Sequence, residues 1–312
     1  MTSQVQKQTE MPPYPRRPVV RSIKLAVSIC VYLITKVWWL FARMFGVKSP
    51  GTVVGIFYHQ VLAAEVAQFS KQMDILQRTA LPVGADKLLD LKPGINAVFV
   101  TADDAWKSFA DNAVPELVKR KIPCTIFAIA GRLGDSLGEV DDRIVSETEL
   151  RQLRSSLITI GSHTLTHPRL TTLSNADALV ELSESHKRLR NLLDTDVLLF
   201  CPPFGAADQR ILELCQQAGY RHVYMSTLVS SCDNFVLGRI RADPDDWSLE
   251  FRLKLVGAYN WVPWSIQLKA YLISWLNTLR SGARRHSIPL DDHLDNSCTP
   301  SEMPDHSMTK LG

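Results

Sequence analysis

The feature that most constrains the fold is an alternation of short apolar runs with amphipathic stretches between residues 52 and 225. The apolar runs are typical of strands buried on both faces and lie at 53–58, 97–101, 124–130, 157–160, 197–200 and 222–225. Stretches with helical periodicity separate them, at 66–80, 106–120, 147–155, 175–193 and 208–219. Parallel strands require such crossover helices, so the pattern predicts βα units and a parallel sheet. Six or seven units in succession favour a closed barrel over an open sheet.

Composition and cysteine spacing narrow the class of protein. Apolar residues make up 46% of the 312-residue chain, which is enough for a sizeable core. The net charge is only +3, and no basic stripe interleaved with aromatic residues runs through the chain, so no nucleic-acid partner is expected. The six cysteines are scattered without a C-x-x-C pair, which argues against a cysteine zinc site or a redox motif.

The amino-terminal segment predicts contact with a membrane through residues 25–42. These eighteen residues carry Lys36 as their only charge, and as a helix they would be about 27 Å long, close to a hydrocarbon core of roughly 30 Å. Three modes remain open: a span that carries Lys36, a helix in the interface with Lys24, Lys36 and Arg43 toward the headgroups, and a buried soluble helix. No small-residue cleavage site follows, which argues against a removable signal peptide. If the helix spans, the basic residues before it favour an inside amino terminus and an outward-facing main domain.

The patterns divide the chain into four regions. Residues 1–50 are a basic segment with the membrane-associating helix, and residues 51–260 form the main domain. Residues 261–286 predict an amphipathic helix that either packs on the barrel or contacts a membrane. Residues 287–312 are polar with little to bury, and we expect them to be disordered.

Polar side chains recur directly after the predicted strands. His59 follows the first run, the pair Asp103 and Asp104 follows the second, and His163 and His167 follow the run at 157–160. A C-P-P-F-G turn at 201–205 follows the run at 197–200. Because the carboxyl ends of parallel barrel strands meet at one face, we expect these groups at a common mouth.

Each of these groups is ambiguous when taken alone. Paired aspartates often cap helices, two histidines four apart are often coincidental, and a Pro-Pro turn is simply stiff. Together, one carboxylate and two neutral imidazoles make a three-ligand set for a divalent metal with open positions. A second carboxylate beside the first can accept a proton from the attacking water. The combination suits attack on an unactivated amide.

The motifs T-A-D-D at 101–104, H-T-L-T-H at 163–167 and C-P-P-F-G at 201–205 occur in the order and near the spacing of a known family. The chain resembles the NodB-type polysaccharide deacetylases of carbohydrate esterase family 4, whose motifs are T-F-D-D, H-S/T-x-x-H and R-x-P-Y/F. The run I-P-C-T-I-F at 122–127 looks like the family strand after the first helix, and Asp243 with Asp246-Trp247 resembles the fourth motif, D-x-x-D-W. The resemblance covers about residues 52–250.

The resemblance implies a deformed (β/α) barrel of about seven parallel strands, preceded here by the apolar helix. It also implies one bound divalent metal ion, often zinc, with Asp104, His163 and His167 as ligands. By motif position, Asp103 would be the general base, and the backbone N–H of Phe204 would help to hold the oxyanion. The remaining site residues form the substrate side: Trp247 as the wall of the acetyl pocket, with Pro203 and Asp246.

The chain departs from the family pattern in three places. Ala102 replaces a Phe, which should alter packing only. Cys201 stands where the family has an arginine that orients the base and pairs with the fourth-motif aspartate. Asp103 and Asp246 are therefore expected to lack that partner, unless Arg239 or Arg241 compensates.

The late Leu-x-His motif that supplies the general acid is also missing, since no His occurs from 223 to 285. Some members carry that histidine in a Tyr-His pair at the end of the first strand, and Tyr58-His59 matches this arrangement. We therefore predict His59 as the general acid. The alternative is a histidine that merely hydrogen-bonds the barrel rim.

The expected function is removal of N-acetyl groups from amino sugars of a bacterial poly- or oligosaccharide by a hydrolase at the cell membrane, with the catalytic domain on the outer face. Two alternatives stay open. The missing arginine motivates a catalytically impaired NodB-like protein that binds saccharide. The unspecified acyl group leaves room for an amidase or deformylase acting on a lipid-linked substrate.

Overall fold

The computed structural model describes residues 18–136, 142–226 and 235–262, all within one compact unit. Seven parallel strands close into a barrel, because the first strand pairs with both the third and the last. The strands are β1 (Thr52–Tyr58), β2 (Leu81–Pro82), β3 (Asn96–Ala102), β4 (Cys124–Ala128), β5 (Ile158–Ser162), β6 (Leu199–Phe200), β7 (His222–Met225) and β8 (Val236–Arg241). The short β2 lies outside the seven-strand ring and pairs with the start of β3. The expected deformed (β/α) barrel with an amino-terminal apolar helix is confirmed.

Seven α-helices accompany these strands in the described part of the chain. They are α1 (Pro18–Met44), α2 (Val66–Thr79), α3 (Val114–Lys119), α4 (Glu147–Leu153), α5 (Asn175–Leu193), α6 (Gln209–Gln217) and α7 (Ser248–Leu255), with a π-helical turn at Phe109–Ala113 before α3. Side-chain caps explain where three of them begin: Ser146, Ser174 and Asp208 each accept a backbone N–H from the first turn of α4, α5 and α6.

The protein has one hydrophobic core between the strands and the surrounding helices and another inside the barrel. Outward-facing strand residues such as Val98 and Val100 pack against α2 and the π-helical turn, through Phe69, Leu76 and Phe109. The alternate residues point into the barrel, where rings pack together. Those inward residues are Phe57, Phe99, Phe127, Tyr224 and, unusually for an interior, Arg239, which is fully buried.

Gly55 in the middle of β1 makes room for this interior. A Cβ atom at residue 55 would meet the ring of Phe99 and the Cγ atom of Arg239. Because both neighbours are buried, neither has open space to move into. A strand glycine at this position therefore reflects close approach of other side chains.

We expect Gly55→Ala to lower the free energy of unfolding by about 1–3 kcal/mol, because the added methyl group overpacks a filled interior. Urea unfolding followed by circular dichroism measures this loss. Val53→Ala is the matched control, since Val53 lies in the same strand and is 52% exposed. Equal losses in the two variants would contradict the packing argument.

Among the described residues, α1 is the one helix long and apolar enough to cross a membrane, judged by length and composition. Only 11% of its most apolar window is buried. These properties fit a membrane anchor or a signal sequence. The predicted amphipathic helix and disordered tail fall almost entirely outside the described residues, which end at Val262.

Candidate active site

Three side chains converge at the mouth of the barrel, where β3 and β5 end. Asp104 Oδ1 lies 3.3 Å from Nε2 of His163 and 3.3 Å from Nε2 of His167. The three ligand atoms lie within 4.8 Å of one another. Asp104 Oδ1 is buried and has no hydrogen-bond partner, although burial without a partner is costly for a carboxylate oxygen. A divalent cation between the three groups would satisfy that oxygen, so the residues fit the expected metal.

Neighbouring groups orient two of these three side chains. The indole N–H of Trp106 donates to Asp104 Oδ2 over 3.1 Å, which leaves Oδ1 toward the histidines. His163 Nδ1 lies 2.6 Å from the carbonyl oxygen of Cys201. A carbonyl can only accept, so Nδ1 carries the proton and the lone pair of a neutral His163 lies on Nε2. This arrangement is the usual outer support of a metal-binding histidine.

The loops that carry the motifs hold strained backbone. Five non-glycine residues there have positive φ: Asp104 (70°), Ala105 (60°), Thr164 (68°), His167 (69°) and Phe204 (61°). Such conformations cost of order 1–3 kcal/mol each and persist only where surrounding contacts impose them. One such contact is Glu181, whose Oε2 accepts the backbone N–H groups of Leu165 and Thr166 at 2.9 Å. The strain indicates a preorganised site.

Asp103 is held by a buried guanidinium. Arg239 donates to Asp103 Oδ1 over 2.7 Å and to Oδ2 over 3.0 Å, in a bidentate pair. The same guanidinium donates to Thr101 Oγ1 over 2.7 Å, and its Nη2 group also donates to the sulfur of Cys201 over 2.9 Å. Arg239 is 0% exposed and Asp103 is 2% exposed. Both oxygens of Asp103 and both terminal nitrogens of Arg239 have hydrogen-bond partners within the protein. These bonds replace those lost to water, so the ion pair can be buried in the barrel interior.

The charges in the site set the protonation of each group. Burial raises the pKa of Asp103, but Arg239 and His163 together lower it by more, so its net pKa lies below the usual value. Burial also raises the pKa of Asp104, yet the imidazoles of His163 and His167 beside its Oδ1 hold the net pKa well below the usual range. Burial lowers the pKa of His163, whereas Cys201 and Asp104 raise it to well above its usual value. Without a cation, the site therefore favours two carboxylates and a protonated His163.

Of the alternatives that Cys201 left open, compensation by Arg239 is the one found for Asp103, whereas Asp246 has a different cationic partner. Arg239 supplies the guanidinium to Asp103, and the small Cys201 side chain leaves space for it. Asp246 accepts a 2.6 Å hydrogen bond from Lys254 Nζ, and both side chains are almost fully buried. Arg241, the other residue considered, pairs with Asp243 instead. Asp103 and Asp246 thus each have a buried cationic partner, Arg239 and Lys254 respectively.

His59 is half-buried directly after β1 and lies in the field of the same carboxylates. Burial lowers its pKa, and Asp104 and Asp103 oppose this only in part, so the net pKa lies below the usual value. Its ring also makes an edge contact with Phe57, at 5.6 Å between centroids. His59 therefore lies at the mouth of the barrel, and its role as general acid stays a prediction.

The predicted substrate-side residues lie at different depths. The Phe204 ring lies 4.9 Å from that of His167, beside the Asp104 cluster, and Phe204 is 36% exposed. Pro203 is buried behind it. Trp247 is 43% exposed and has the Arg21 guanidinium 4.3 Å from its ring centroid. The Asp246 side chain is 0% exposed and pairs with Lys254, so it supports the loop that carries Trp247.

Two further groups of potential ligands already have partners. Asp103, His163 and Cys201 lie close together, but Arg239 occupies both oxygens of Asp103. Asp243, Asp245 and Asp246 also cluster, and Arg241, Arg21 and Lys254 pair with them. Among the described residues, the Asp104 cluster is therefore the best candidate for a cation.

Several supporting residues were not identified from the sequence. Trp106 and Glu181 act through single hydrogen bonds that no local motif marks. Gln72 on α2 donates to the carbonyl oxygens of Asp243 and Pro244, which fixes the loop before Trp247. A signal existed for Trp106 only in its position two residues after Asp104.

The chain is thus a (β/α) barrel with an Asp-His-His cluster at its mouth. Residues 90–223 match the sequence model of the polysaccharide deacetylases. The Bacillus subtilis protein YxkH, assigned to the polysaccharide deacetylases, is 26% identical over 211 residues, which are 63% of this chain and 74% of that protein. The middle of the chain is therefore similar to the polysaccharide deacetylases, which are hydrolases of carbon–nitrogen bonds other than peptide bonds.

Solved structures share the fold. IcaB from Ammonifex degensii superposes with a TM-score of 0.59 at 23% identity, covering 67% of this chain and 98% of that one. The Streptococcus pyogenes deacetylase PplD, solved in complex with acetate, gives a TM-score of 0.57 at 19% identity and covers 67% of this chain and 99% of that one. These likenesses establish the barrel architecture.

Arg239→Met should leave Asp103 as an unpaired buried carboxylate. We expect a loss of about 3–5 kcal/mol in the free energy of unfolding and a rise in the pKa of Asp103. If Asp103 is the general base, its lowered pKa keeps it ionised down to acidic pH, and the acid limb of the pH–rate profile should move to higher pH in the variant. Acetate release measured across pH tests this shift.

The double variant Cys201→Arg/Arg239→Met returns a guanidinium to the position where the family has one. We expect it to move the acid limb back toward that of the unaltered chain. A double variant that folds but behaves like Arg239→Met alone would show that position 239 does more than hold the base.

Cation binding should depend on pH because His163 must lose its proton to become a ligand. With its pKa raised above the usual value, we expect the zinc affinity of the metal-free protein to rise with pH, by about tenfold per unit while one proton is released. Calorimetric titration in two buffers of different ionisation enthalpy measures both quantities. His163→Ala should abolish binding, and His186→Ala, on α5 outside the cluster, should not.

Proposed function

We propose that this chain is a metal-dependent hydrolase that removes N-acetyl groups from amino sugars of a bacterial poly- or oligosaccharide. The observation that carries the proposal is the orphaned Asp104 oxygen between His163 and His167, beside the ionised Asp103. A divalent ion held by these three ligands, zinc being well suited to them, would supply Lewis-acid polarisation of the amide and of water.

Asp103 is proposed as the general base. Its lowered pKa keeps it ionised at neutral pH, so it is ready to accept a proton from water. Arg239 engages both of its oxygens, but each carboxylate oxygen has a second lone pair. The fork geometry therefore fixes the direction of the carboxylate without using its whole capacity to accept.

Phe204 is proposed to act on the carbonyl oxygen of the amide that is cleaved, and His59 on its nitrogen. The left-handed φ of 61° at Phe204 turns the backbone beside His167, where its N–H is proposed to stabilise the developing oxyanion. His59 is proposed to protonate the leaving amine. Because its pKa lies below the usual value, the protonated form is lost as pH rises, and activity that depends on it should fall in the same direction.

The proposed substrate is an N-acetylated saccharide bound along Pro203, Phe204 and Trp247. An exposed tryptophan at a barrel mouth suits stacking against a sugar ring or an acetyl methyl group. The binding-protein alternative rested on the missing arginine, and Arg239 now provides a guanidinium to Asp103. The amidase alternative differs only in the substrate and is an outcome of the experiment below.

We further propose that the enzyme works at a cell membrane through α1. The length and apolar composition of this helix support the location. Placement of the catalytic domain on the outer face follows from the basic residues before residue 25 if the helix spans.

Asp103→Asn should lower acetate release from N-acetylated chito-oligosaccharides by about 10²–10⁴-fold, because an amide cannot act as the base. Metal content, measured by mass spectrometry, should be unchanged, which separates loss of the base from loss of the cation. His59→Gln should cause a comparable loss and remove the fall of activity toward high pH. His186→Ala is the control for both.

Two results would contradict the proposal. If the metal-loaded chain releases no acetate from any acetylated saccharide yet binds one, the saccharide-binding alternative holds. If it cleaves N-formyl or non-carbohydrate amides faster than the acetylated oligosaccharides, the amidase alternative holds.

A further inference from the structure

One stripe of α1 packs on the barrel along the first half of the helix. Leu25, Ile29 and Tyr32 lie against a small cluster formed by Leu253, Ala258 and Tyr259. Between them Ser28 is fully buried, and its Oγ accepts a 2.9 Å hydrogen bond from the indole N–H of Trp261. These α1 residues recur every three or four positions, so they share one face of the helix.

The opposite face of α1 is exposed and predominantly apolar. Its residues are between 37% and 78% exposed: Val19, Val20, Ile23, Val27, Leu33, Ile34, Val37, Trp38, Leu40, Phe41 and Met44. A contiguous apolar surface of this length is unusual on a protein that is surrounded by water. The face therefore needs an apolar partner.

The charges of α1 point to an anionic partner. No acidic residue occurs from Pro18 to Met44, whereas Lys24, Lys36 and Arg43 are basic. Helical periodicity places these three on the half of the helix nearer the packed stripe, and the Lys36 ammonium lies 5.4 Å from the ring of Tyr32 in that stripe. Apolar residues on one side with lysine and arginine above them are typical of a helix that lies in a membrane interface.

A groove at the carboxyl end of α1 also combines basic and apolar side chains. It is lined by Lys36, Arg43 and Lys48 together with the apolar Trp39 and Leu40, and its volume is about 660 Å³. Three cations beside an apolar floor suit a phosphate headgroup with the start of its acyl chains. An anionic lipid surface, and not a second protein, is the occupant that these charges favour.

The packing of α1 conflicts with a perpendicular span. The helix is fastened to the barrel from Arg21 to Tyr32, so only residues 33–44 project beyond that contact. Twelve residues of helix reach about 18 Å, well short of a hydrocarbon core of roughly 30 Å. A full span would draw the ion pair of Arg21 with Glu250 into lipid.

We propose that α1 lies in the plane of an anionic bilayer, with its apolar face in the acyl boundary and the barrel resting on the membrane surface. Both ends of such a helix lie on one side of the bilayer. The excess of basic residues before α1 then no longer determines which face the barrel occupies.

The first turn of α1 is also tied to the rim of the active site. Arg21 Nε donates to Glu250 over 2.7 Å, and another guanidinium nitrogen donates to the carbonyl oxygen of Asp245 over 2.7 Å. The same group lies over the ring of Trp247. If Trp247 walls the acetyl pocket, as the proposed function requires, the pocket opens beside the membrane surface. A saccharide held at that surface by a lipid anchor is the substrate class that fits this position.

Flotation of the full chain with vesicles tests the partner. We expect binding to vesicles that contain phosphatidylglycerol, at least about tenfold weaker binding to phosphatidylcholine alone, and extraction by alkaline carbonate. Ile34→Glu and Trp38→Glu should each weaken binding about tenfold. Val180→Glu is the matched control, because Val180 is a 54% exposed valine on α5. Equal binding to both vesicles, or no effect of the two α1 variants, would overturn the proposal.

Protease accessibility in sealed proteoliposomes tests the orientation of the helix. An amino-terminal epitope tag and the barrel should be cleaved from the same side by a protease that cannot cross the bilayer. Cleavage from opposite sides would establish a span and overturn the proposal. Neither measurement depends on turnover, so acetate release from soluble oligosaccharides in detergent tests the proposed function separately.

Discussion

The ion pair between Arg239 and Asp103 is the interaction on which the site depends. A guanidinium and a carboxylate removed from water are stable only when nearly every donor and acceptor is matched. Here the two oxygens of Asp103, the hydroxyl of Thr101 and the sulfur of Cys201 surround the guanidinium. The rings of Phe57 and Phe127 lie 4.8 and 5.2 Å from its central carbon. The inside of the barrel is therefore organised around the charge of Arg239. Gly55 contributes by having no side chain, which leaves room for Arg239 and Phe99.

This ion pair leads directly to the chemistry at the mouth of the barrel. An ionised Asp103 lies next to Asp104 in the chain, although two adjacent buried carboxylates would ordinarily raise each other's pKa. Arg239 offsets one of these charges, and the two histidines with their cation would offset the other. The strained backbone at Asp104, Thr164 and His167 holds these groups together before any substrate arrives. The energetic cost of holding the site ready for substrate is thus carried by strained backbone in the loops.

The sequence predicted the barrel better than its details. Six strands were found from apolar runs, because a strand buried on both faces leaves a continuous apolar signal. β8 was missed because Arg239 at an inward position and the neighbouring Gly238 interrupt the apolar signal. β2 was missed because a two-residue strand has no periodicity. The helix at 175–193 was predicted with its bounds correct, since a serine cap precedes it.

The site shows a similar division. Asp103, Asp104, His163 and His167 could be singled out because they follow predicted strands and match motifs of the family that the chain resembles, and the structure brings the last three together. The sequence could not choose between Arg239 and Arg241 as the partner of Asp103. Both lie on the same side of β8 by alternation, and only the register with Gly55 determines which one reaches Asp103. Lys254 was missed because it approaches Asp246 from α7, a contact that depends on tertiary packing.

The small side chain of Cys201 has a consequence for how this protein compares with its relatives. The guanidinium of Arg239 fills the space beside Asp103, so a second arginine at 201 would put two like charges and too much volume against one carboxylate. The two positions are therefore mutually exclusive sites for the same functional group. Across relatives they should covary, so the absence of an arginine at 201 does not by itself mark the site as incomplete.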